Sequence, residues 1–532
     1  MTTTHDDTPT SDHTGGRTGF WVLVATISAS SMAFIDQTAL NITLPAIQAE
    51  LQASGGDLLW IVNIYQLMLA SLILVGGSLG DRYGRRRIYL IGIALFTAAS
   101  IACGFAPTSG LLIAGRALQG IGGALMVPGS LAIVSAYFDD ASRGRAIGIW
   151  SSFTTMTSIL GPILGGLLVD ADFWRGIFFI NIPLAALAVF ALLRYVPESR
   201  DEDAPRQTDF LGTALVTIGL AGIVFGATEL GRFDADRLAP TPVLYASLVI
   251  GVLALIAFVV VESRIRNPMV SLKLFASRTF TGANALTLFL YGALAGALLF
   301  FPLNLQQIQG YTGTQASLAL LPFSILLMII SPWMGNVVNR FGPRLPLVIG
   351  PALVGFGFIA LSLPGITDGI NSYWTTYFPG AVLLGLGMGI TVAPLTTSVM
   401  GSVPQRSAGV ASGINNAVSR AAGVLAIAIM GGIALSTFMN TLTASLDASA
   451  VPDEVRREVI ATADRLGATD APEGTSGEVV AVVDTAVAES FLQTFRLMMY
   501  IGAGLAWISA LLAALLVEDQ LQPKQKAQAK TA

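Results

Sequence analysis

Apolar runs of about 20 residues recur from one end of this sequence to the other. A run of that length crosses the hydrocarbon core of a bilayer as an α-helix, because a helix satisfies its own backbone hydrogen bonds where water is absent. Only 12 % of the 532 residues are charged, roughly half the share found in soluble domains. The runs therefore predict an all-α integral membrane protein with many spans.

The runs define about fourteen spans, and an even number places both termini on one side of the membrane. The predicted spans lie near 19–45, 58–80, 88–106, 110–136, 143–169, 174–195, 210–230, 242–262, 280–304, 315–338, 344–363, 374–400, 407–436 and 493–517. The polar ends, 1–18 and 518–532, are expected to be cytoplasmic tails, the first of them disordered.

Arginine is unevenly distributed between the loops on the two sides. Loops on the side of the N terminus hold a cluster at 82–87, Arg143 and Arg145, whereas the loops at 46–57 and 104–110 hold no Lys or Arg. Because cytoplasmic loops retain positive charge, both termini are predicted to be cytoplasmic. The expected location is the plasma (inner) membrane.

One loop pattern occurs twice. The stretch GSLGDRYGRRR at 77–87 lies between two spans, and GNVVNRFGPR at 335–344 follows a later span in the same way. When the two are aligned on their Arg-x-Gly core, Asn339 takes the place of Asp81. A shared loop pattern indicates a duplicated bundle, and the loss of the acid indicates that the two halves do not work identically.

Three further stretches accompany this loop, in order along the first half of the chain. They are IDQTALNITLP at 35–45, RALQGIGG at 116–123 and GPILGG at 161–166. Together with residues 77–87 they resemble the signature motifs of the major facilitator superfamily, in the fourteen-span branch of its drug:proton antiporters. The likeness covers nearly the whole chain.

The resemblance implies a fold and an activity. Two six-helix bundles, 19–196 and 280–517, would face a central cavity, and the linker 197–279 would carry two extra transmembrane helices. The implied activity is proton-coupled efflux of hydrophobic or amphipathic small molecules such as drugs, by alternating access. The proton gradient would supply the energy, without a cofactor, and the protein is expected to be a monomer.

Asp36 and Arg116 are the predicted proton-coupling pair. Each lies deep in a span, where an ionised side chain is costly unless it is paired or faces water. A fixed cation beside Asp36 would hold the carboxylate ionised, and separating the two would let it take up a proton. The alternatives are a permanent structural pair for Asp36 and a side chain that reaches the membrane interface for Arg116.

Few carboxylates are available for coupling. Between Glu262 and Asp447 the sequence has a single acid, Asp368, which is predicted to lie in an outer loop. One proton per cycle is therefore expected. Glu229, near the outer end of the seventh span, would change that number if its span lay close to the cavity.

The loop at 77–87 fixes topology through its positive charge, but topology alone leaves its acid unexplained. The resemblance implies a cytoplasmic latch in which this loop contacts the other bundle, near Arg406–Gly413 at the start of the thirteenth span. A helix start is a suitable receiver for a carboxylate. The predicted latch residues are Gly77, Asp81, Arg82, Gly84, Arg85 and Arg86.

A third group of residues belongs to the fifth span. Its glycines and proline, Gly161, Pro162, Gly165 and Gly166, match the motif that the family associates with antiport. Small residues let helices approach closely, and proline loosens the hydrogen-bond ladder. Ordinary packing and a hinge are both open interpretations.

Polar residues in other spans are candidates for substrate binding. They are Asn41, Gln119, Asn284, Asn304, Asn415, Asn416 and Arg420. Arg420 would either bind an anionic group or donate to backbone carbonyls. The other cavity walls are expected to be apolar, which suits amphipathic cargo.

A long outer loop, 437–492, precedes the last span. Its sequence has helical spacing in two stretches, and an apolar face in the first comprises Val455, Val459, Ile460, Ala463 and Leu466. We expect a helical hairpin, which would act either as a lid over the cavity mouth or as a passive flap.

Other functions have less support in the sequence. A lipid-like cargo moved with the same proton is the nearest alternative, and a non-transporting sensor on this scaffold is a weaker one. No phosphate-binding P-loop motif is present, and His5 and His13, both in the polar tail, are the only histidines. Cys103 is the only cysteine, so no intrachain disulfide and no Cys metal cluster is expected. The sequence has no visible basic nucleic-acid surface, and we expect neither a metal site nor enzyme activity.

Overall fold

The computed structural model describes residues 17–138, 140–200, 209–231, 237–265, 268, 270, 272–403 and 408–519. Within these residues all regular secondary structure is helical. The helices are α1 (Arg17–Leu51), α2 (Gly55–Tyr83), α3 (Arg85–Gly104), α4 (Ser109–Tyr137), α5 (Asp140–Asp170), α6 (Gly176–Phe179), α7 (Asn181–Tyr195), α8 (Phe210–Leu230), α9 (Thr241–Arg264), α10 (Arg278–Leu298), α11 (Phe300–Leu303), α12 (Gly313–Leu318), α13 (Leu321–Phe341), α14 (Arg344–Ser362), α15 (Tyr373–Thr376), α16 (Phe378–Gly401), α17 (Ala408–Asp447), α18 (Asp453–Ala461) and α19 (Gly477–Leu516). A π-helical turn follows α11 at Asn304–Ile308, and short 3-10 helices lie at Leu272–Ala276, Gly369–Ser372 and Ala463–Ala468.

Thirteen helical segments in the described part of the chain are long and apolar enough to cross a membrane, and α5 adds a shorter apolar stretch, Ile159–Asp170. This confirms the all-α fold and the prediction of about fourteen spans. We call the end of the molecule that holds the loops 46–57 and 104–110 the outer end. We call α1 to α7 the N-terminal half and α10 to α19 the C-terminal half.

Four predicted spans contain a one- or two-residue break in the helical hydrogen-bond pattern, although linking residues such as Ile180 and Leu299 keep right-handed helical angles. The breaks fall between α6 and α7, α10 and α11, α12 and α13, and α15 and α16. Each lies within a few residues before a proline, at Pro183, Pro302, Pro322 and Pro379. Proline lacks the N–H that would continue the ladder and its ring collides with the preceding turn, so regular hydrogen bonding is lost locally. Gly176–Tyr195, Arg278–Ile308 and Gly313–Met334 nevertheless each continue across the break as one spanning helix.

The repeated loop pattern corresponds to a repeated structure. α2 ends at Gly84 with φ 109°, and α13 ends at Gly342 with φ 76°, a region that favours glycine. An acidic residue that follows the last helix of the same half lies against each glycine: Glu198 after α7 and Asp519 after α19. The contact at Gly84 is with the Glu198 carboxylate, and the contact at Gly342 is with the Asp519 backbone, so the two halves share the glycine turn but not the chemistry of its neighbour.

The two extra helices pack at the junction of the halves. α8 contacts its partner α9, and it also contacts α2 of the N-terminal half and α17 of the C-terminal half. The approach to α17 is close, because a Cβ added to Gly231 would lie 2.5 Å from the Cα of Gly432. The ring of Trp60 on α2 contacts Phe225 on α8, with centroids 6.3 Å apart.

The first arm of the hairpin predicted in the outer loop is α18. The second arm is not a separate helix: α19 begins at Gly477 and runs without interruption into the last span. On the predicted apolar face, Val459, Ala463 and Leu466 are buried. The segment touches both halves: Gln48 Nε2 donates to the carbonyl of Arg465 at 2.8 Å, and Leu466 lines an apolar pocket with residues of α2 and α17. These contacts favour the lid over the flap.

Candidate functional site

Asp36 on α1 and Arg116 on α4 form a buried ion pair. Asp36 is 0 % exposed and Arg116 is 1 % exposed. One guanidinium nitrogen of Arg116 donates to Asp36 Oδ2, and Gln119 Nε2 donates to Oδ1 at 2.7 Å. Both carboxylate oxygens therefore have a donor, which is what a charge needs when it is removed from water.

The guanidinium of Arg116 lies inside the protein and does not reach the interface. Its Nε donates to the carbonyl of Ile61 at 3.2 Å, and NH1 also donates to Gln119 Oε1 at 2.7 Å. Its Cζ lies 4.4 Å from the centroid of the Tyr65 ring, a cation–π distance. Arg116 is thus fixed by α2 as well as by α1, and movement between these helices changes its partners.

The network continues away from the ion pair. Gln119 Nε2 also donates to Ser100 Oγ at 3.3 Å, Asn181 Nδ2 donates to the same oxygen at 2.8 Å, and Ser100 donates to the carbonyl of Phe178 at 3.0 Å. Gln119, predicted as a substrate ligand, is therefore a partner of Asp36. Sequence reasoning missed Ser100 and Asn181. The available signal in the sequence was Asn181, a polar residue two positions before Pro183 in an otherwise apolar span.

A cavity of about 100 Å³ lies between the halves, next to this pair. Its lining comes from α1, α2 and α4 on one side and from α10 and α17 on the other: Gln37, Leu40, Asn41, Val62, Tyr65, Gln66, Arg116, Ala295, Leu299 and Ile427. We call it the central cavity. Asn41 lies where the sequence predicted a ligand. Arg116 lines the cavity and also binds Asp36, so the contents of the cavity can influence the carboxylate through it.

A second cavity, of about 120 Å³, lies in the C-terminal half and is lined in part by Asn415, Asn416 and Tyr291. Asn415 Nδ2 is held by Asn284 Oδ1 at 3.2 Å and by Thr287 Oγ1 at 2.7 Å. Asn284 therefore positions Asn415. Among the other predicted ligands, Asn304 is buried and donates to the hydroxyl of Tyr377 at 3.0 Å, away from both cavities.

The glycine motif of α5 uses two faces of the helix. A Cβ on Gly161 would lie 1.9 Å from Thr38 Oγ1, and one on Gly165 would lie 2.8 Å from the carbonyl of Ala39, so both pack against α1. A Cβ on Gly166 would lie 2.6 Å from the carbonyl oxygen of Gly313, in the other half. Pro162 lies within α5 between these contacts.

Hydrogen bonds join the halves at the outer end. Asp170, the last residue of α5, accepts from the backbone N–H of Gly313 at 2.8 Å and of Thr314 at 3.0 Å, at the N-terminus of α12. Gln306 Nε2 donates to the carbonyl of Ile42 at 3.0 Å. Together with the Gly166–Gly313 contact, these bonds close the molecule at this end, and we call them the outer gate.

The predicted latch is bonded within its own half in this structure. Asp81 accepts from Arg85 at 2.8 Å, one turn away, and Arg86 NH1 donates to the carbonyl of Val196 at 2.8 Å. Gly77 packs toward Pro128 on α4, and the guanidinium of Arg82 lies over the ring of Tyr83. Part of the predicted receiver, 406–407, is outside the described residues.

Glu229 is fully buried between α8 and α2. Its Oε1 accepts from Trp60 Nε1 at 2.9 Å and its Oε2 accepts from the N–H of Leu238 at 3.0 Å. The residues that line the central cavity do not include it. Glu229 therefore attaches an extra helix to the N-terminal half.

Comparison with known proteins matches residues 26–427 to the family model described as Major Facilitator Superfamily. The multidrug resistance protein Stp of Mycobacterium tuberculosis is 36 % identical over 446 residues, which cover 84 % of this chain and 81 % of Stp. The tetracenomycin C resistance and export protein of Streptomyces glaucescens is 31 % identical over 99 % of this chain and 97 % of its own length.

Among solved structures, a bacterial homolog of the human lysosomal transporter Spinster, in an inward-facing and unoccupied conformation, is similar with a TM-score of 0.68 at 18 % identity. The match covers 95 % of this chain and 99 % of that one. At this identity the likeness concerns the fold.

The four sequence motifs, the helical fold and the matched family model agree, and the chain belongs to the Major Facilitator Superfamily.

Proposed function

We propose that this protein exports hydrophobic or amphipathic small molecules, drugs among them, from the cytoplasm in exchange for protons. The observation that carries the proposal is the buried Asp36–Arg116 pair, one member of which lines the central cavity. The multidrug resistance in the name of Stp, and the resistance and export in the name of the tetracenomycin C protein, support the cargo class. The proton gradient is the proposed energy source, in the plasma membrane.

The proposed coupling step is the gain and loss of a proton at Asp36. While Arg116 and Gln119 donate to the carboxylate, its ionised form is stabilised. Entry of cargo or water into the central cavity competes for Arg116, and rearrangement of α1 and α4 weakens the pair. A weakened pair lets the carboxylate take up a proton, so the conformation of the halves decides when the proton binds.

The proposed orientation has both termini in the cytoplasm, following the arginine distribution. We assign the described conformation to the inward-facing state, because the outer gate joins the halves at the outer end. Cargo would then enter from the cytoplasm and leave after the outer gate opens. The loop at 77–87 is proposed to form its latch to the other half in that second state.

The proposal is tested with the purified full-length protein in liposomes that contain a pH indicator. A panel of neutral, cationic and anionic amphipathic drugs is added on the cytoplasmic side, and proton movement is followed together with drug accumulation. We expect drug-dependent proton movement in the opposite direction, abolished by a protonophore. Drug accumulation without proton movement would contradict the antiport, and neither movement for any drug would contradict export.

Arg116→Ala should change the pH dependence of transport. Removal of the cation takes away the ion-pair partner of Asp36 and the residue that connects this pair to the central cavity, so the variant should lose the wild-type pH profile of transport. The rate should also fall, since the variant leaves a buried carboxylate without its ion-pair partner. Transport rates measured across a pH series check this. Arg175→Ala, which removes an ion pair to the half-exposed Glu50 at the outer end, is the matched control and should keep the wild-type profile.

Asp81→Asn should shift the balance between states while cargo affinity stays the same. The asparagine keeps the size of the side chain but removes the charge with which the proposed latch binds a helix start. The inward-facing population should therefore increase. Distances between spin labels at the cytoplasmic ends of α2 and α17 measure the shift. An unchanged distance distribution would limit the role of the cluster to topology.

A further inference from the structure

Among the residues that the structure describes, Arg420 on α17 has no acidic partner in the middle of the C-terminal half. Between Glu262 and Asp447 the sequence offers only Asp368, at the outer 3-10 helix. Asp36, the nearest deep acid of the other half, already has donors on both oxygens. An unpaired charge in a low-dielectric interior is costly, and such residues inside membrane proteins usually serve a ligand or ion path.

Donation to backbone carbonyls does not account for Arg420 either. Within the described residues its guanidinium makes no hydrogen bond, in contrast to Arg496, which donates to the carbonyls of Ser362 and Pro364. Arg420 is partly exposed inside the protein. Its electrostatic neighbour is Tyr65, across the junction of the halves.

Tyr65 connects Arg420 to the central cavity. The side chain is 1 % exposed and lines the cavity, yet its hydroxyl has no hydrogen-bond partner among the described residues. The amides of Gln37, Asn41 and Gln66 also line the cavity and have no hydrogen bond within the described residues. One turn beyond Arg420, a Cβ on Gly423 would lie 3.3 Å from Gln66 Oε1, so α17 forms the wall there. A buried hydroxyl is usually satisfied by a hydrogen-bond partner, so a polar group of a cargo molecule in the cavity is a suitable partner for it.

The charges around the cavity favour one sign of cargo. Asp36 and Arg116 cancel, while Arg420 adds one uncompensated positive charge. We propose that Arg420 and the Tyr65 hydroxyl form the polar end of the cargo site, and that they select amphipathic cargo with an acidic group, such as a carboxylate, phenolate or enolate, over lipophilic cations. This inference rests on the proposed export function and specifies its cargo.

The selection has an electrical consequence. Export of a monoanion in exchange for one inward proton moves two positive charges inward per cycle, whereas a neutral cargo moves one and a monovalent cation none. An inside-negative membrane potential therefore drives the export of acidic cargo most strongly, by roughly 2.3 kcal/mol per charge for each 100 mV. Because the charges of Asp36 and Arg116 cancel within their ion pair, Asp36 does not repel an anionic cargo from the cavity.

The test uses three fluorescent compounds with one apolar body: anthracene carboxylate, anthracene methanol and anthracenylmethyl trimethylammonium. Binding and proton-driven accumulation are measured for the full-length protein in liposomes. Wild type should prefer the carboxylate, and Arg420→Gln should weaken carboxylate binding by about tenfold or more, as expected for loss of a charge-assisted hydrogen bond. Arg420→Lys should retain the preference. Arg496→Gln, which removes an arginine that donates to the backbone carbonyls of Ser362 and Pro364, should leave the preference unchanged.

The outcomes separate the inference from the function on which it rests. Equal weakening of all three compounds by Arg420→Gln, or a wild-type preference for the cation, would overturn the inference and leave proton-coupled export intact. Absence of proton-coupled transport for all three in wild type would overturn the proposed function and the inference with it. If Arg420→Gln does not fold, the variant Tyr65→Phe tests the selection of acidic cargo instead. It removes only the hydroxyl and must weaken carboxylate binding about threefold to tenfold without changing cation binding.

Discussion

Asp36→Asn is expected to abolish uphill, proton-driven efflux while the protein still inserts into the membrane. Asparagine keeps the size of the side chain and can still accept from Gln119, but it cannot carry a proton in exchange. Downhill exchange of labelled against unlabelled cargo needs no proton and should persist. The substitution leaves Arg116 buried and unpaired, so we also expect a loss of about 3–5 kcal/mol of stability.

Two controls accompany this variant. Asp36→Glu retains an ionisable group and should retain some uphill transport. Glu229→Gln removes the other fully buried carboxylate described here, which is bonded to Trp60 at the edge of the N-terminal half, and should leave proton coupling intact. Uphill efflux by Asp36→Asn at the wild-type rate across a pH gradient would show that the coupling proton binds elsewhere. Loss of coupling in Glu229→Gln would place a second proton in the cycle.

Gly166→Leu is expected to have the second large effect, because it acts on the outer gate. The backbones of α5 and α12 touch at Gly166 and Gly313, and a Cβ on Gly166 would already lie 2.8 Å from the Cα of Thr314. Neither backbone can move aside without separating the halves. Overpacking at this contact should destabilise the closed gate by about 1–3 kcal/mol. Because the cycle needs the closed gate, transport should slow by on the order of tenfold or more.

The same helix supplies the matched control. A Cβ on Gly148 meets no atom within 4 Å, so Gly148→Leu should leave the outer gate closed and transport near the wild-type rate. Spin labels at the outer ends of α5 and α12 report the gate directly, and Gly166→Leu should lengthen the distance between them. Wild-type transport with an unchanged outer distance would show that this close approach is not needed for the cycle.

The sequence alone allowed prediction of the ion pair, because charge is so rare in membrane spans that Asp36 and Arg116 stand out and have opposite signs. It did not reveal Ser100 and Asn181, since small polar residues are common in membrane helices and only the fold brings these two to Gln119. Spacing placed Gly161 and Gly165 on one face of α5 and Gly166 on another. Which helix each face meets depends on tertiary packing.

The extra helices show a second limit of sequence reasoning. α8 is apolar on all sides, as a membrane helix can be, so its sequence has no polar face to indicate its orientation or its neighbours. Its place against α2 and α17 was therefore not predictable. The outer loop is the opposite case, because its helix is amphipathic and the face chosen from the spacing is the buried one.

The position of α8 also affects how a lipophilic compound reaches the protein from the bilayer. Such compounds concentrate among the lipid chains, and a cleft between the two halves would be their most direct lateral entrance. On the side of α2 and α17 this cleft is covered by α8, with Leu67 of α2, Val224 of α8 and Val424 of α17 in one apolar cluster. Lateral diffusion from the lipid into the cleft is thus blocked on the flank that α8 covers.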